Sequence, residues 1–468
     1  MDANPTKTSA RTEALFFGAV ACLVALNVFV QNTNLGRSVV PGLDEGIYLY
    51  AAKLISGGAL PYRDFFLSHP PLLFFGAAAL LGTGLDMDGF HFLYTLWFFS
   101  LLVPVCYVAR TLSRSAAAGL VAGLFLSTFT ELVQWDARFF ALRQASLPFF
   151  ALALFFFYVR PRPVLAGLLL AAFALSVLSN VFVVSAWLLS LLLQELRTAG
   201  SRREWASRYG RLLLVFLVVT AAGYAATLTI PHAFEDLVVF QSARRFHPFA
   251  GRFASLLLAL RFNAPFLGLG LIGSFLPASG ARFFGVTNLL GGILIVLGAR
   301  SFYPNYLSIL AVSLAISAAI LTGALARSPP GRRIPFMAEG LVASLLLVNA
   351  FLYLRAPLLR TVTPEFYEVV EVLKRGPGPI LAFEPRLALY AGVELTPHYY
   401  VADPKFLRAM NKNLEEQTFL ELVGRSNAIA VEPYLASFLD APRWQKIAAE
   451  FDLVYRNGGY QVWVKRAH

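Results

Sequence analysis

Two adjacent carboxylates, Asp44 and Glu45, stand in the run Gly42-Leu43-Asp44-Glu45-Gly46-Ile47-Tyr48, just beyond the first apolar segment. Charge placed there meets both water and lipid headgroups, and a positioned carboxylate can take the proton of a hydroxyl that must act as a nucleophile. The same loop continues as Leu60-Pro61-Tyr62-Arg63-Asp64-Phe65-Phe66 and Ser68-His69-Pro70-Pro71-Leu72, adding Arg63, Asp64 and His69 as possible substrate contacts. Cationic donors are what a departing phosphate requires as its charge develops. Further candidates lie in Gln134-Trp135-Asp136-Ala137-Arg138, with Arg143 following, in Arg244, Arg245 and His247, and in Arg300-Ser301-Phe302-Tyr303-Pro304-Asn305-Tyr306.

Each candidate has a plainer reading. Asp44 can serve as a helix N-cap before an apolar-periodic run. His69 can be a solvated loop residue, and Asp136 with Arg138 can be a surface ion pair of little energetic weight. Tyr303 and Tyr306 suit an interfacial aromatic belt, and Arg244 with Arg245 suit anionic headgroups. The neighbouring motifs favour chemistry at Asp44. No His/Asp/Glu cluster has metal-ligand spacing, Asp86-Met87-Asp88 alone being weak, and Cys22 and Cys106 fall inside apolar segments. Neither a metal, a cofactor nor a disulfide framework is expected.

The elements that must position these residues follow from composition. Of the 468 residues 57% are hydrophobic and 14% charged, and mean hydropathy is +0.64. A water-soluble domain of this size would expose a large apolar surface with such a composition, so a bilayer is its natural solvent. The net charge of +12 does not form one basic face, because the arginines flank apolar runs, and nucleic acid is not an expected partner. Apolar runs at 14–31, 91–109, 115–131, 144–159, 163–178, 181–196, 211–230, 253–275, 283–299, 306–326 and 335–355 predict about eleven membrane-spanning helices. Several are shorter than the roughly 20 residues of a perpendicular crossing, so some must be broken or buried in protein.

Arg110/Arg114, Arg160/Arg162, the cluster from Arg197 to Arg211, and Arg327/Arg332/Arg333 all favour the cytoplasm. One arrangement satisfies them: the N-terminus inside, 32–90 outside as the first outer loop, further outer loops at 132–143, 231–252 and 300–305, and the tail outside. Met1 to Arg11 then reads as a cytoplasmic lead into a retained helix. Pro70 to Leu81 is assigned as an interfacial or re-entrant helix, since counting it as a crossing would invert every later loop. Residues 1–355 form the expected membrane domain and 356–468 an extracytoplasmic α/β domain. Within that domain Glu365 to Lys374 and Asp403 to Gly424 have helical period, Pro379 to Phe383 and Asn427 to Val431 read as strands, and Leu453 to Tyr455 pairs with Tyr460 to Val464 in a hairpin.

Asp44-Glu45, the segment Pro61 to Phe66 and His69-Pro70-Pro71-Leu72 together resemble the GT-C glycosyltransferases, specifically the branch of protein O-mannosyltransferases and lipid A aminoarabinose transferases. The likeness in motif is confined to the first loop; in architecture it extends over most of the chain. It implies transfer of a sugar from a polyprenyl-phosphate donor outside the membrane, with inversion at the anomeric carbon, Asp44 acting as base and Glu45 supporting it. Membrane lipid and an acceptor, glycan, lipid or protein, are the expected partners, and the acceptor is expected to enter an outer cavity between the first loop and the tail domain. The lipid phosphate would leave toward Arg138 and the Tyr303 region. The chain departs from the aminoarabinose branch in carrying His69 where lysine is usual before the Pro-Pro pair. A transporter of lipid-linked saccharides is the alternative, but its ionisable residues would sit at mid-membrane depth, whereas here they collect in the outer loops. A non-catalytic membrane subunit is a third reading.

Overall fold

The computed structural model describes residues 10–35, 43–129, 140–198, 202–243, 248–275, 281–298, 304–327, 344, 347, 364–376, 378–382, 384–396, 416–432, 436 and 439–466. The membrane part is helical: α1 (Ala10–Leu35), α2 (Leu43–Ser56), α3 (Leu72–Leu81), α4 (Met87–Phe99), α5 (Leu102–Ser113), α6 (Ala116–Thr128), α7 (Leu142–Tyr158), α8 (Pro163–Ala174), α9 (Asn180–Thr198) and α10 (Arg202–Leu228). A π-helical turn (Glu235–Val239) runs into α11 (Phe240–Ala243), followed by α12 (Phe249–Ser274), α13 (Ala281–Gly298), a 3-10 turn (Pro304–Leu310) and α14 (Ala311–Ala326). The expected apolar runs from 14–31 to 306–326 are therefore helices, that at 91–109 being broken into α4 and α5, while 335–355 lies almost wholly outside the described residues.

Among the described residues four helical stretches are long and apolar enough to cross a membrane: Ala10–Asn32, Met87–Ser113, Tyr209–Leu228 and Tyr306–Ala326. Others are short; the 12 residues of α8 reach only about 18 Å against a hydrocarbon core of about 30 Å. Such helices need protein around them, and the burial pattern supplies it. α14 is buried almost throughout, whereas α1 exposes Leu15, Phe17, Leu26 and Phe29, the surface a bilayer would cover.

Small residues let α14 sit at the centre of the bundle. A Cβ on Gly270 would lie 2.8 Å from Leu314 Cδ2, and one on Gly273 would overlap the Ser317 carbonyl oxygen. Polar side chains then pin the same helices: Asn288 Nδ2 donates to Ser274 Oγ at 2.9 Å and to Ser317 Oγ at 3.2 Å, and Ser313 donates to Asn288 Oδ1. Gly273→Val is accordingly expected to cost about 1–3 kcal/mol through overpacking, read as a lower thermal midpoint in detergent.

The tail comprises α15 (Pro364–Arg375), β1 (Ile380–Leu381), α16 (Pro385–Ala391), α17 (Glu416–Arg425), β2 (Ala428–Val431), α18 (Ala441–Glu450), β3 (Phe451–Asn457) and β4 (Tyr460–Lys465). The sheet order is β1-β2-β4-β3, with β1 parallel to β2 and the remaining pairs antiparallel. The β3–β4 turn is made by Gly458 and Gly459 at φ 54° and 86°, a conformation that side chains with a Cβ disfavour. Of the long amphipathic helix expected over Asp403 to Gly424, α17 is its C-terminal part; 403–415 lie outside the described residues. Helices α16 and α18 were not anticipated.

Candidate functional site

Helix α2 organises the site because its three faces meet three different surroundings. Glu45, Leu49 and Ala52 form a buried face; Gly46, Tyr50 and Lys53 face the tail domain; Asp44 and Tyr48, one turn apart, lie on the remaining side. Asp44 and Glu45 both occupy the first turn, where the helix dipole favours negative charge.

The two carboxylates have different surroundings. Asp44 is exposed, whereas Glu45 is only 3% exposed. Glu45 Oε1 lies 2.8 Å from His91 Nε2 and accepts a 2.8 Å bond from the Phe140 backbone N–H. His91 is itself buried in the first turns of α4, and Phe140 precedes α7. Glu45 thus ties α2, α4 and the start of α7 together, which fixes the turn that carries Asp44. His91 had not been singled out, although a histidine at the head of an apolar run demands a partner.

The rest of the first loop folds as a brace. Tyr62, buried and at φ 67°, donates its hydroxyl to the His69 carbonyl at 2.7 Å, and its N–H meets the Phe65 carbonyl at 2.8 Å. Arg63 and Asp64 are exposed and pair with each other, Nε to Oδ1 at 2.8 Å, while Asp64 Oδ2 accepts from the Leu60 N–H at 2.7 Å. These bonds, the guanidinium first, hold the Asp64 carboxyl down at about 2. The pair helps to close this turn. From the other side Asp236 accepts from the Leu67 N–H at 3.2 Å and Gln241 Nε2 donates to the Ser68 carbonyl at 2.7 Å. His69 is thereby set against Tyr48, whose hydroxyl lies 3.4 Å from His69 Nε2. Because Tyr48 is one turn from Asp44, the base candidate and His69 share one side of α2.

A second cationic group stands at the head of α7. The Arg143 guanidinium lies over the Tyr306 ring at 3.4 Å, and Gln144 Nε2 donates to Ser308 Oγ at 2.8 Å, so the late 3-10 turn is held against α7. Arg143 Nε has no hydrogen-bond partner among the described residues. The chain from Asp44–Glu45 through Phe140 to Arg143 and Tyr306 is continuous. Asn305 lies in the same 3-10 turn; Asp136, Arg138, Arg244, Arg245, His247 and Tyr303 lie outside the described residues.

The tail domain closes over α2. Tyr50 Oη accepts from the Leu395 N–H at 2.8 Å, Lys53 Nζ donates to the Val393 carbonyl at 3.2 Å, and burial at that contact lowers the Lys53 ammonium below its ordinary value. One apolar cluster contains Leu49, Ala52, Phe74 and Phe90 together with Phe366, Leu387, Ala388 and Val462. At Gly46 the first loop and the tail touch, since a Cβ there would lie 2.8 Å from Arg386 Cγ.

No protein-family model and no curated protein matches the chain by sequence. Solved structures do match. ArnT from Cupriavidus metallidurans bound to undecaprenyl phosphate has a TM-score of 0.66 at 14% identity, covering 96% of this chain and 98% of that one. The same protein in its apo state gives 0.66 at 16% identity with the same coverage. The archaeal oligosaccharyltransferase AglB from Archaeoglobus fulgidus, in complex with an inhibitory peptide and a dolichol-phosphate, gives 0.55 at 12% identity, covering 98% of this chain and 75% of that one. The fold of this chain is the one it shares with ArnT and AglB.

Proposed function

We propose that the chain transfers a sugar from a polyprenyl-phosphate donor to an acceptor hydroxyl at the outer face of the membrane, with Asp44 as general base. The observation that carries this reading is the division of labour between the two carboxylates: Glu45 buried and hydrogen-bonded, Asp44 exposed on the turn that Glu45 fixes. The likeness in fold to a protein bound to undecaprenyl phosphate and to one bound to a dolichol-phosphate supports the choice of donor.

In the proposed step Asp44 takes the acceptor proton while the acceptor oxygen attacks the anomeric carbon from the face opposite the phosphate. The bond from that carbon to the phosphate oxygen breaks, its electron pair leaves with the polyprenyl phosphate, and the configuration inverts. The departing charge is received by Arg143, held over Tyr306, with His69 contributing from the side of α2 that it shares with Asp44. Arg138, Arg244, Arg245, Tyr303 and Asn305 remain proposed additions to that phosphate environment. Arg63 and Asp64 are proposed to act through the loop they close. An apolar groove of about 690 Å³, lined by Phe17, Val24, Val28, Phe92 and Leu96, is a suitable seat for part of the prenyl chain.

The phosphate assignment has a direct test. Loss of a charge-assisted hydrogen bond costs about 1.5–3 kcal/mol, so Arg143→Ala is expected to weaken undecaprenyl phosphate binding by roughly 10- to 150-fold. Titration of the purified variant against wild type reads this, and unchanged affinity would remove Arg143 from the donor site.

A further inference from the structure

Arg386 is the second residue of α16 and is only 3% exposed. Its Nη2 pairs with Glu384, but Nε and Nη1 have no hydrogen-bond partner among the described residues. A buried guanidinium left with two unpaired donors is expensive and needs compensation from nearby charge. Burial pulls the Arg386 guanidinium below its ordinary value; the Coulombic attraction of Glu45 opposes that, and the Phe366 ring lies 5.4 Å from the guanidinium carbon. Its stem rests on Gly46, where any side chain would collide with Cγ at 2.8 Å and with the Arg386 backbone nitrogen at 3.2 Å. A residue from the tail domain therefore stands beside the turn that carries both carboxylates, about 340 positions away in sequence.

We propose that Arg386 is a positioning residue for transfer, its stem against Gly46 and its charge beside Glu45 holding the first turn of α2 so that Asp44 is presented to the acceptor. The inference rests on the glycosyltransferase reading above. Docking of the tail domain is, on this account, part of assembling the catalytic turn and not only a cover for it. Arg386 touches neither donor nor acceptor; it acts through α2.

The test compares wild type, Arg386→Gln, Arg386→Lys and Gly46→Ala, each purified as full-length protein in detergent. Labelled undecaprenyl-phosphate hexoses and pentoses serve as donors, solubilised envelope extract as acceptor pool, and undecaprenyl phosphate binding as a separate readout. A misplaced catalytic group costs on the order of 100-fold in rate, so Arg386→Gln is expected to lose about that much kcat with donor KM and undecaprenyl phosphate binding unchanged. Arg386→Lys should recover most of the loss, and Gly46→Ala, which displaces the stem without removing charge, should lower kcat in the same way. If Arg386→Gln does not fold, Gly46→Ala alone decides. Wild-type kcat in Arg386→Gln or in Gly46→Ala, or parallel loss of binding and kcat in every variant, overturns the proposal while leaving the glycosyltransferase reading intact. Absence of transfer by wild type overturns that reading and this inference together.

Discussion

Asp44→Asn is expected to bind undecaprenyl phosphate as wild type does and to transfer sugar about 10²- to 10⁴-fold more slowly, the range that general acid–base catalysis contributes. The substitution is nearly isosteric, and asparagine is also well accommodated at a helix start, so α2 should form as before. The loss should fall on kcat, because removal of a base acts in the transition state and not on the ground-state complex. Asp44→Glu should retain part of the activity, since a carboxylate is kept while its reach changes by one methylene. Wild-type turnover in Asp44→Asn would assign the base elsewhere.

Glu45→Ala is expected to act mainly on stability. It would leave His91 and the Phe140 N–H buried without their shared acceptor. Breaking a buried pair from one side costs about 3–5 kcal/mol, so thermal unfolding in detergent should shift sharply to lower temperature. Glu45→Gln keeps an oxygen that can accept from Phe140 and should be milder. A Glu45→Ala protein that unfolds like wild type yet has lost transfer would instead give Glu45 a direct part in the chemistry.

The difference between these two expectations was not legible in the motif. Sequence places Asp44 and Glu45 side by side and gives no reason to bury one of them; burial is decided by which face of α2 meets α4 and residue 140. The apolar runs were legible because bilayer-facing and bundle-facing helices differ from loops in composition throughout, and the β3–β4 hairpin was legible from Gly458-Gly459. Boundaries were harder. The run at 91–109 begins within α4, whose start is set by the Asp86 cap accepting from the Gly89 N–H at 2.8 Å, and it hides the break at Ser100.

Residues joined across long separations were least legible. Tyr306 was noted for its aromatic neighbours, but its seat under Arg143 depends on α7 and the late 3-10 turn packing together. Arg386 carried no motif at all, and its seat on Gly46 exists only because the tail packs against α2. For Arg63 and Asp64 the motif was legible, whereas the turn that their charges help to close was not. Their charges serve each other and the Leu60 N–H.

The central claim, covalent transfer from a lipid-linked donor, is tested most directly by reconstituting the purified wild type in liposomes that contain a labelled undecaprenyl-phosphate sugar. Formation of a labelled acceptor with stoichiometric release of undecaprenyl phosphate is the result predicted. Movement of the intact donor between leaflets with no bond cleaved would contradict the account and establish a transporter in its place.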